Sequence, residues 1–156
     1  MKKIVWAGLM IVISAMFMAS AAMAESLNKE ALQNLYMEYL KGEGYRPEVD
    51  EDGDVMFRRE GKIYFLFVTE DDSDFFRLVL PNIWPIESIE ENLQVLAAAD
   101  FSNALSKVSK VYTVNDDVWV SIEMFLPSQK DFSQIFRRSM EALDNGVANF
   151  VRKMQG

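Results

Sequence analysis

The chain has 156 residues and a formal net charge of −8, and it contains neither histidine nor cysteine. The acidic balance argues against nucleic acid as a partner, because binding to a phosphate backbone normally requires a basic face. Without histidine and cysteine there is no Ser-His-Asp triad, no Cys-His pair, no zinc site of the usual nitrogen and sulfur ligands, and no disulfide. We therefore expect a protein that is not an enzyme and that carries no cofactor.

The N-terminal segment has the pattern of a secretory signal peptide. Two lysines precede an apolar stretch, Ile4–Ala19, and the small residues that follow end in Ala22-Met23-Ala24, which fits an A-x-A cleavage site. Cleavage of residues 1–24 would leave one domain, residues 25–156, in the periplasm or outside the cell. That domain would have a net charge of −10 and no association with the membrane. The alternative is an uncleaved anchor, because the uncharged stretch is long enough to span a bilayer.

The first half of the mature chain is predicted to form a helix and four strands. Hydrophobic residues at helical spacing extend from Asn28, a plausible N-cap, to Lys41, and Gly42 would end the helix. Turns rich in Asp, Gly and Ser then separate four short strands, which indicates an antiparallel meander. These strands are Tyr45–Val49, Val55–Arg59, Lys62–Thr69 and Phe75–Leu80. Pro81 and Pro85 are expected to interrupt the strand pattern.

The second half continues with a helix near residues 87–105, a hairpin of strands 108–114 and 118–126, and a last helix near residues 131–153. The predicted order is α-β-β-β-β-α-β-β-α. This order indicates the α+β class, with a largely antiparallel sheet packed by helices.

Several of the predicted strands are apolar on both sides. Alternation places Ile63, Phe65 and Phe67 on one face of the third strand and Tyr64, Leu66 and Val68 on the other. Helices can cover one face of the sheet, so either another helix or another molecule must cover the second. We expect an interaction face for a peptide or for a second copy of the chain. The residues assigned to it are Tyr64, Leu66, Val68, Trp119 and Phe125.

Two acidic turns form the main charged cluster. The first and third turns of a four-strand meander lie at the same end of the sheet, which would bring their carboxylates together. The candidate cation ligands are Asp50, Asp52, Asp54, Asp71, Asp72 and Asp74. The first three have the spacing of an EF-hand loop, but Val55 stands where that loop needs Gly, and Gly61 where it needs Glu. We expect solvated turns, with a weak cation site as the alternative.

The run GYRPEVDEDGDVMF, residues 44–57, and the following Gly61-Lys62-Ile63-Tyr64 resemble the bacterial YbjN-domain family. The stretch Ala97–Asn103, with residues 107–112 and 118–126, resembles the second half of that family. The resemblance covers about residues 28–153. It implies a fold similar to the type III secretion chaperones, which are small, acidic, commonly homodimeric and not enzymes.

Secretion chaperones of that fold work in the cytoplasm, whereas the signal peptide predicts export. The resemblance therefore implies an exported protein-interaction module of that shape, chaperone-like or regulatory, whose partner is a protein, a peptide or a second copy. A divalent-cation-binding accessory protein that uses turns 50–54 and 70–74 is the alternative.

Overall fold

The computed structural model describes residues 27–156, with the exception of residues 70 and 73. The predicted signal peptide, residues 1–24, lies outside the described residues. Within the described part of the chain, no helix is both long and apolar enough to cross a membrane.

The described residues form helices and strands in the predicted order, and the α+β class is confirmed. The helices are α1 (Lys29–Gly42), α2 (Ile89–Leu105) and α3 (Phe132–Gln155), with a 3-10 turn, Gln129–Asp131, before α3. The strands are β1 (Glu48–Val49), β2 (Val55–Arg59), β3 (Lys62–Leu66), β4 (Phe75–Pro85), β5 (Ser109–Val114) and β6 (Asp117–Phe125).

Local capping sets the ends of the first two helices. The Asn28 side chain accepts a hydrogen bond from the Ala31 N–H at 2.9 Å, as predicted, and the Ser88 hydroxyl accepts one from the Glu91 N–H at 3.1 Å. Each cap satisfies one of the N–H groups that a helix leaves free at its start. At the other end of α1 the left-handed residue is Gly44, with φ of 88°, and the predicted terminator Gly42 is still helical.

The six strands form one antiparallel sheet in the order β1-β2-β3-β4-β6-β5. Glu60 and Gly61, with φ of 52° and 78°, make the two-residue turn between β2 and β3, and positive φ at both central positions is the hairpin geometry that matches strand twist. The first four strands are therefore a meander. β6 then pairs with β4 and leaves β5 at the edge.

The predicted interruption of the strand is wrong at Pro81, because β4 continues through this residue, but β4 does end at Pro85. Asn82 adopts a left-handed conformation, with φ of 54°, and the register with β6 shifts between Leu80 and Trp84 before pairing resumes. A bulge of this kind accommodates a proline that cannot donate to the ladder.

All three helices pack on the same side of the sheet. The buried core combines one face of the strands with the inward side chains of α1, α2 and α3. Its largest fully buried members are Tyr36, Tyr64, Phe57, Phe76, Phe132, Phe150, Leu32, Leu40, Leu66, Leu78, Ile122 and Leu143. α3 approaches the sheet closely at Gly146, where an added Cβ would lie 2.6 Å from the Ser109 hydroxyl oxygen. The helices and the core thus lie on one side of the sheet.

Candidate interaction surface

The face of the sheet opposite the helices is called the open face. Its middle row runs across five strands through the aligned residues Met56, Phe65, Val79, Ser121 and Lys110. The open face comprises Glu48, Met56, Arg58, Ile63, Phe65, Phe67, Phe75, Arg77, Val79, Lys110, Tyr112, Asp117, Trp119, Ser121, Glu123 and Phe125. No helix among the described residues packs on this face, because the inward side chains of all three belong to the core on the other side.

Arg77 organises the centre of the open face. Its guanidinium lies 4.5 Å from the centre of the Phe67 ring, donates a hydrogen bond to the Tyr112 hydroxyl at 2.9 Å, and pairs with the Glu123 carboxylate at 3.2 Å. A guanidinium held by an aromatic ring, a hydroxyl and a carboxylate has little rotational freedom left. The side chains at the centre of the open face are therefore ordered in the free protein.

Glu123 joins Arg77 to two further residues. Its carboxylate accepts hydrogen bonds from the Lys110 ammonium at 3.0 Å and from the Ser121 hydroxyl at 2.8 Å. Burial raises the pKa of Glu123, but the hydrogen bonds from Lys110 and Ser121 and the positive charges of Lys110 and Arg77 outweigh it, so that this pKa lies below its ordinary value. Glu123 is thus an ionised member of a charge network and is unsuited to act as a general acid at neutral pH.

Aromatic rings extend from this network along the strands. Phe75 and Phe125 face each other across β4 and β6 with ring centres 5.4 Å apart, and Phe125 is 73% exposed. Trp119 donates its indole N–H to the Asn82 side chain at 3.0 Å and lies 6.5 Å from the Tyr112 ring. Aromatic side chains with a satisfied polar group are enriched at protein interfaces.

The charges of the open face are balanced, although the whole chain is acidic. The cations are Arg58, Arg77 and Lys110, and the anions are Glu48, Asp117 and Glu123. A surface without net charge does not repel an acidic protein, so the surplus of carboxylates elsewhere does not disqualify this face for protein binding.

The structure divides the predicted interaction residues between the two faces. Tyr64, Leu66 and Val68 are buried on the helix side, whereas Trp119 and Phe125 lie on the open face. The grouping of these five residues on one surface is therefore wrong. The alternation within each strand was predicted correctly, but the face that aligns between neighbouring strands depends on their pairing.

The open face also contains Phe67, Arg77 and Tyr112, which were not among the residues predicted for the interaction face. A signal for Phe67 exists in the alternation along residues 62–69, where Phe65 and Phe67 face away from Tyr64. The contact of Arg77 with Tyr112 joins residues 35 positions apart, and no local pattern indicates it.

A cleft opens where β3 and β4 separate. Their pairing is limited to Phe65 with Val79 and Leu66 with Leu78, because the bulge at Asn82 carries β4 away from the start of β3. The resulting cavity has a volume of about 590 Å³. Its walls are largely apolar and consist of Gly61, Lys62, Ile63, Phe65, Leu80, Pro81, Asn82, Ile83, Val147 and Val151. Through Ile63 and Phe65 this cleft is continuous with the open face, and it is large enough to accept an apolar side chain of a partner.

The edge of the sheet at β5 is partly covered. The Asn103 amide of α2 donates to the Val111 carbonyl at 3.0 Å and accepts from the Val111 N–H at 2.8 Å. These are the groups through which an added strand would pair. The flat open face is therefore a better interaction surface than this edge.

The acidic turns show no built cation site within the described residues. Asp50 turns its carboxylate back on its own loop, where it accepts the N–H groups of Asp52 and Asp54 at 3.0 and 2.8 Å. Asp54 accepts the Val68 N–H at 2.8 Å, and burial is the main cause of its raised pKa. Among the residues that the structure describes, no group of three carboxylates is placed to hold a metal ion.

Comparison with known proteins identifies the fold. No family model and no curated protein matches this chain. The structure is similar to the crystal structure of YbjN, described as "a putative transcription regulator from E. coli", with a TM-score of 0.57 and 13% sequence identity. The match covers 74% of this chain and 87% of that chain. The likeness shows that the chain has a YbjN-like fold, as the sequence resemblance implied.

Proposed function

We propose that this protein is an exported, non-enzymatic interaction module that binds a protein partner on the open face of its sheet. The observation that carries the proposal is the one-sided packing of α1, α2 and α3, so that no helix of the described residues covers the aromatic and charged face of the six strands. Phe125 is 73% exposed on this face, and exposed aromatic side chains are enriched at protein interfaces.

The chemistry of the open face supports a protein as the occupant. Trp119, Tyr112 and Arg77 belong to the residue types that contribute most binding energy in protein interfaces. The charges of Arg77 and Glu123 are already paired with each other within the chain, so a partner would not meet an unpaired charge at the centre of the open face. The cleft between β3 and β4 supplies a hollow for one apolar side chain, while Phe125 supplies a protruding one.

Export is proposed from the sequence of residues 1–24 alone. Cell fractionation followed by N-terminal sequencing tests it, and a protein that begins at Glu25 in the periplasm or the medium is the expected result. An intact N-terminus in the membrane fraction would overturn the proposal of an exported, soluble module.

A crosslinking experiment tests the open face directly. A photoreactive phenylalanine analogue is introduced at position 125 on the open face or, as the matched control, at the exposed position 134 on α3. The expected result is an adduct with one defined protein from position 125 and none from position 134. Adducts of equal pattern from both positions, or an adduct only with a second copy of this chain, would contradict the proposal.

Affinity measurements with the purified adduct partner complete the test. Trp119→Ser and Phe125→Ser should each weaken binding at least about tenfold, which corresponds to about 1.4 kcal/mol. Gln134→Ala should leave the dissociation constant unchanged. Unchanged binding by both open-face variants, with unfolding curves that match the wild type, would show that the partner binds elsewhere.

A further inference from the structure

The cleft between β3 and β4 is larger than the space that one side chain of a partner would fill. Its volume of about 590 Å³ is roughly four times that of an apolar cavity of about 150 Å³ that holds one benzene molecule. A phenylalanine ring inserted by a partner would therefore leave most of the cleft empty. Because the walls of an empty apolar space lose contacts, a larger apolar ligand fits the cleft better than one side chain does.

The separation of the two strands follows from their register. The pairing of β3 with β4 stops at Phe65 and Val79, and two residues further the same register would place Ile63 opposite Pro81. Proline has no N–H to donate to the Ile63 carbonyl, and Asn82, with φ of 54°, then turns β4 away from β3. The opening between the strands is therefore a consequence of the sequence of β4.

The walls of the cleft come from both sides of the sheet. Ile63 and Phe65 belong to the open face, whereas Leu80 is buried on the helix side. Val147 and Val151 come from α3. The cleft therefore passes between the strands and reaches α3. An apolar space of this kind suits a hydrocarbon chain, which needs no hydrogen bonds along its length.

The charge of the cleft wall is positive, although the chain has 24 acidic residues. Lys62 is exposed and lines the cleft, and no carboxylate among the described residues does. No ion pair in the described part of the chain involves Lys62, whereas its neighbour Arg59 in β2 pairs with Asp144 at 2.8 Å and with Glu60 at 3.6 Å. A wall with an available cation and without a carboxylate favours an anion.

The amide of Asn82 offers a second donor in the wall. Its oxygen already accepts the Trp119 indole N–H at 3.0 Å, so its NH₂ group is the part left for a ligand. Both polar side chains of the wall, Lys62 and Asn82, thus present N–H donors. A carboxylate can accept a hydrogen bond from either of them.

We propose that the cleft binds one molecule of a free long-chain fatty acid. The acyl chain fills the apolar space between β3, β4 and α3, and the carboxylate lies beside the Lys62 ammonium group. At roughly 25 Å³ per carbon, the value that the benzene cavity implies, one chain of sixteen carbons needs about 400 Å³ and two need about 800 Å³. With about 590 Å³ the cleft therefore has room for a single-chain amphiphile and not for a two-chain phospholipid.

Calorimetric titration of the purified, delipidated protein with two twelve-carbon amphiphiles tests the site. Dodecanoate is expected to bind once per chain with a micromolar dissociation constant. Dodecyltrimethylammonium, which has the same chain length and the opposite charge, is expected to bind at least about tenfold more weakly. Both are used below the concentrations at which they form micelles. Absence of dodecanoate binding, or equal affinity for the two amphiphiles, would overturn the proposal.

The role of Lys62 is tested by removal of its charge. Lys62→Met should weaken dodecanoate binding at least about tenfold without weakening the binding of dodecyltrimethylammonium, because the methionine keeps the apolar stem and removes the cation. Lys41→Met, at an exposed position of α1, is the matched control and should bind both amphiphiles like the wild type. Unchanged dodecanoate affinity in Lys62→Met would contradict the placement of the carboxylate.

The place of the acyl chain is tested by filling of the cleft. Val151→Trp should abolish binding of both amphiphiles, because the indole occupies the space beside α3. Gln134→Trp, at an exposed position of the same helix outside the cleft wall, is the matched control and should bind normally. A Val151→Trp variant that binds dodecanoate like the wild type would show that the chain lies elsewhere. If this variant does not fold, Leu80→Ala, which enlarges the cleft, should shift the preference toward longer chains, and an unchanged preference would count against the proposal.

Two further titrations separate this proposal from related ones. Lauroyl lysophosphatidylcholine, which carries a zwitterionic phosphate headgroup, should bind more weakly than dodecanoate, and tighter binding would overturn the assignment to a free fatty acid. Phe125→Ser, which tests the open face, lies outside the cleft wall and should bind dodecanoate like the wild type. Because the inference does not depend on the protein partner of the open face, loss of dodecanoate binding in Lys62→Met and loss of partner binding in Phe125→Ser are separate results.

Discussion

The two faces of the sheet are built from the same strands, but different interactions hold their side chains in place. On the helix side, Phe57, Phe76 and Leu78 are fully buried and make apolar contacts. On the open face, the neighbouring Arg77 is held by Phe67, Tyr112 and Glu123. Apolar burial therefore dominates on the helix side, whereas polar and cation–aromatic contacts hold the side chains of the open face in place.

The largest expected contrast is between two phenylalanines on opposite faces. Phe76→Ala should lower the free energy of unfolding by about 3–5 kcal/mol, because it leaves a cavity beside Phe132 in the core. Phe125→Ala should lower it by less than about 1 kcal/mol, because the side chain is already 73% exposed. Urea denaturation measures both values. Similar losses in the two variants would mean that the open face is covered in the folded protein.

A smaller effect is expected where α3 meets the helix side of the sheet. Gly146→Ala places a methyl group 2.6 Å from the Ser109 hydroxyl oxygen and 3.3 Å from a Val120 methyl carbon. Overpacking should destabilise the protein by about 1–3 kcal/mol, although alanine is the better helix former by about 1 kcal/mol. Thermal and urea unfolding show whether the Gly146→Ala variant is less stable or more stable than the wild type.

Two further variants sharpen the interpretation of Gly146. Ser109→Ala in the Gly146→Ala background should recover part of the loss, because it removes the nearest atom, whose hydroxyl has no hydrogen-bond partner in the structure. Gly42→Ala, at the open end of α1 with nothing within 4 Å of the added group, is the control and should not destabilise. A stabilised Gly146→Ala variant would contradict the close approach of α3.

The smallest expected effect concerns the charge network of the open face. Glu123→Gln should lower the free energy of unfolding at pH 7 by about 0.5–1 kcal/mol, the range of partly exposed ion pairs. Because the folded-state pKa of Glu123 is lowered, its contribution is complete above the unfolded carboxyl value of about 4.3. The contribution is lost as the pH falls through the lowered folded value.

Unfolding of the wild type and of Glu123→Gln between pH 3 and pH 7 measures this dependence. The difference between the two proteins in the free energy of unfolding should shrink toward the acid end. A difference that grows as the pH falls would show that burial, and not the contacts of Lys110, Ser121 and Arg77, decides the charge of Glu123.

Much of the fold was predictable because its signals are local. Asn28 caps α1 as expected, and the positive φ values at Glu60 and Gly61 make the turn that the sequence indicated. The passage of β4 through Pro81 was not predictable, because a left-handed Asn82 and the pairing of Trp84 with Val118 compensate for the missing N–H. That compensation depends on β6, which is more than 30 residues away in the chain.

The sequence by itself determined the order of helices and strands, their α+β class, the two-sided apolar character of β3 and the absence of histidine and cysteine chemistry. Only the tertiary structure decided that Tyr64, Leu66 and Val68 face the helices while Trp119 and Phe125 face away from them. The physical reason is that alternation relates residues within one strand, whereas the pairing of β3 with β4 and of β4 with β6 relates the strands to one another. The contacts that select this pairing and place all three helices on one side join residues far apart in the chain, and no local sequence pattern indicates them.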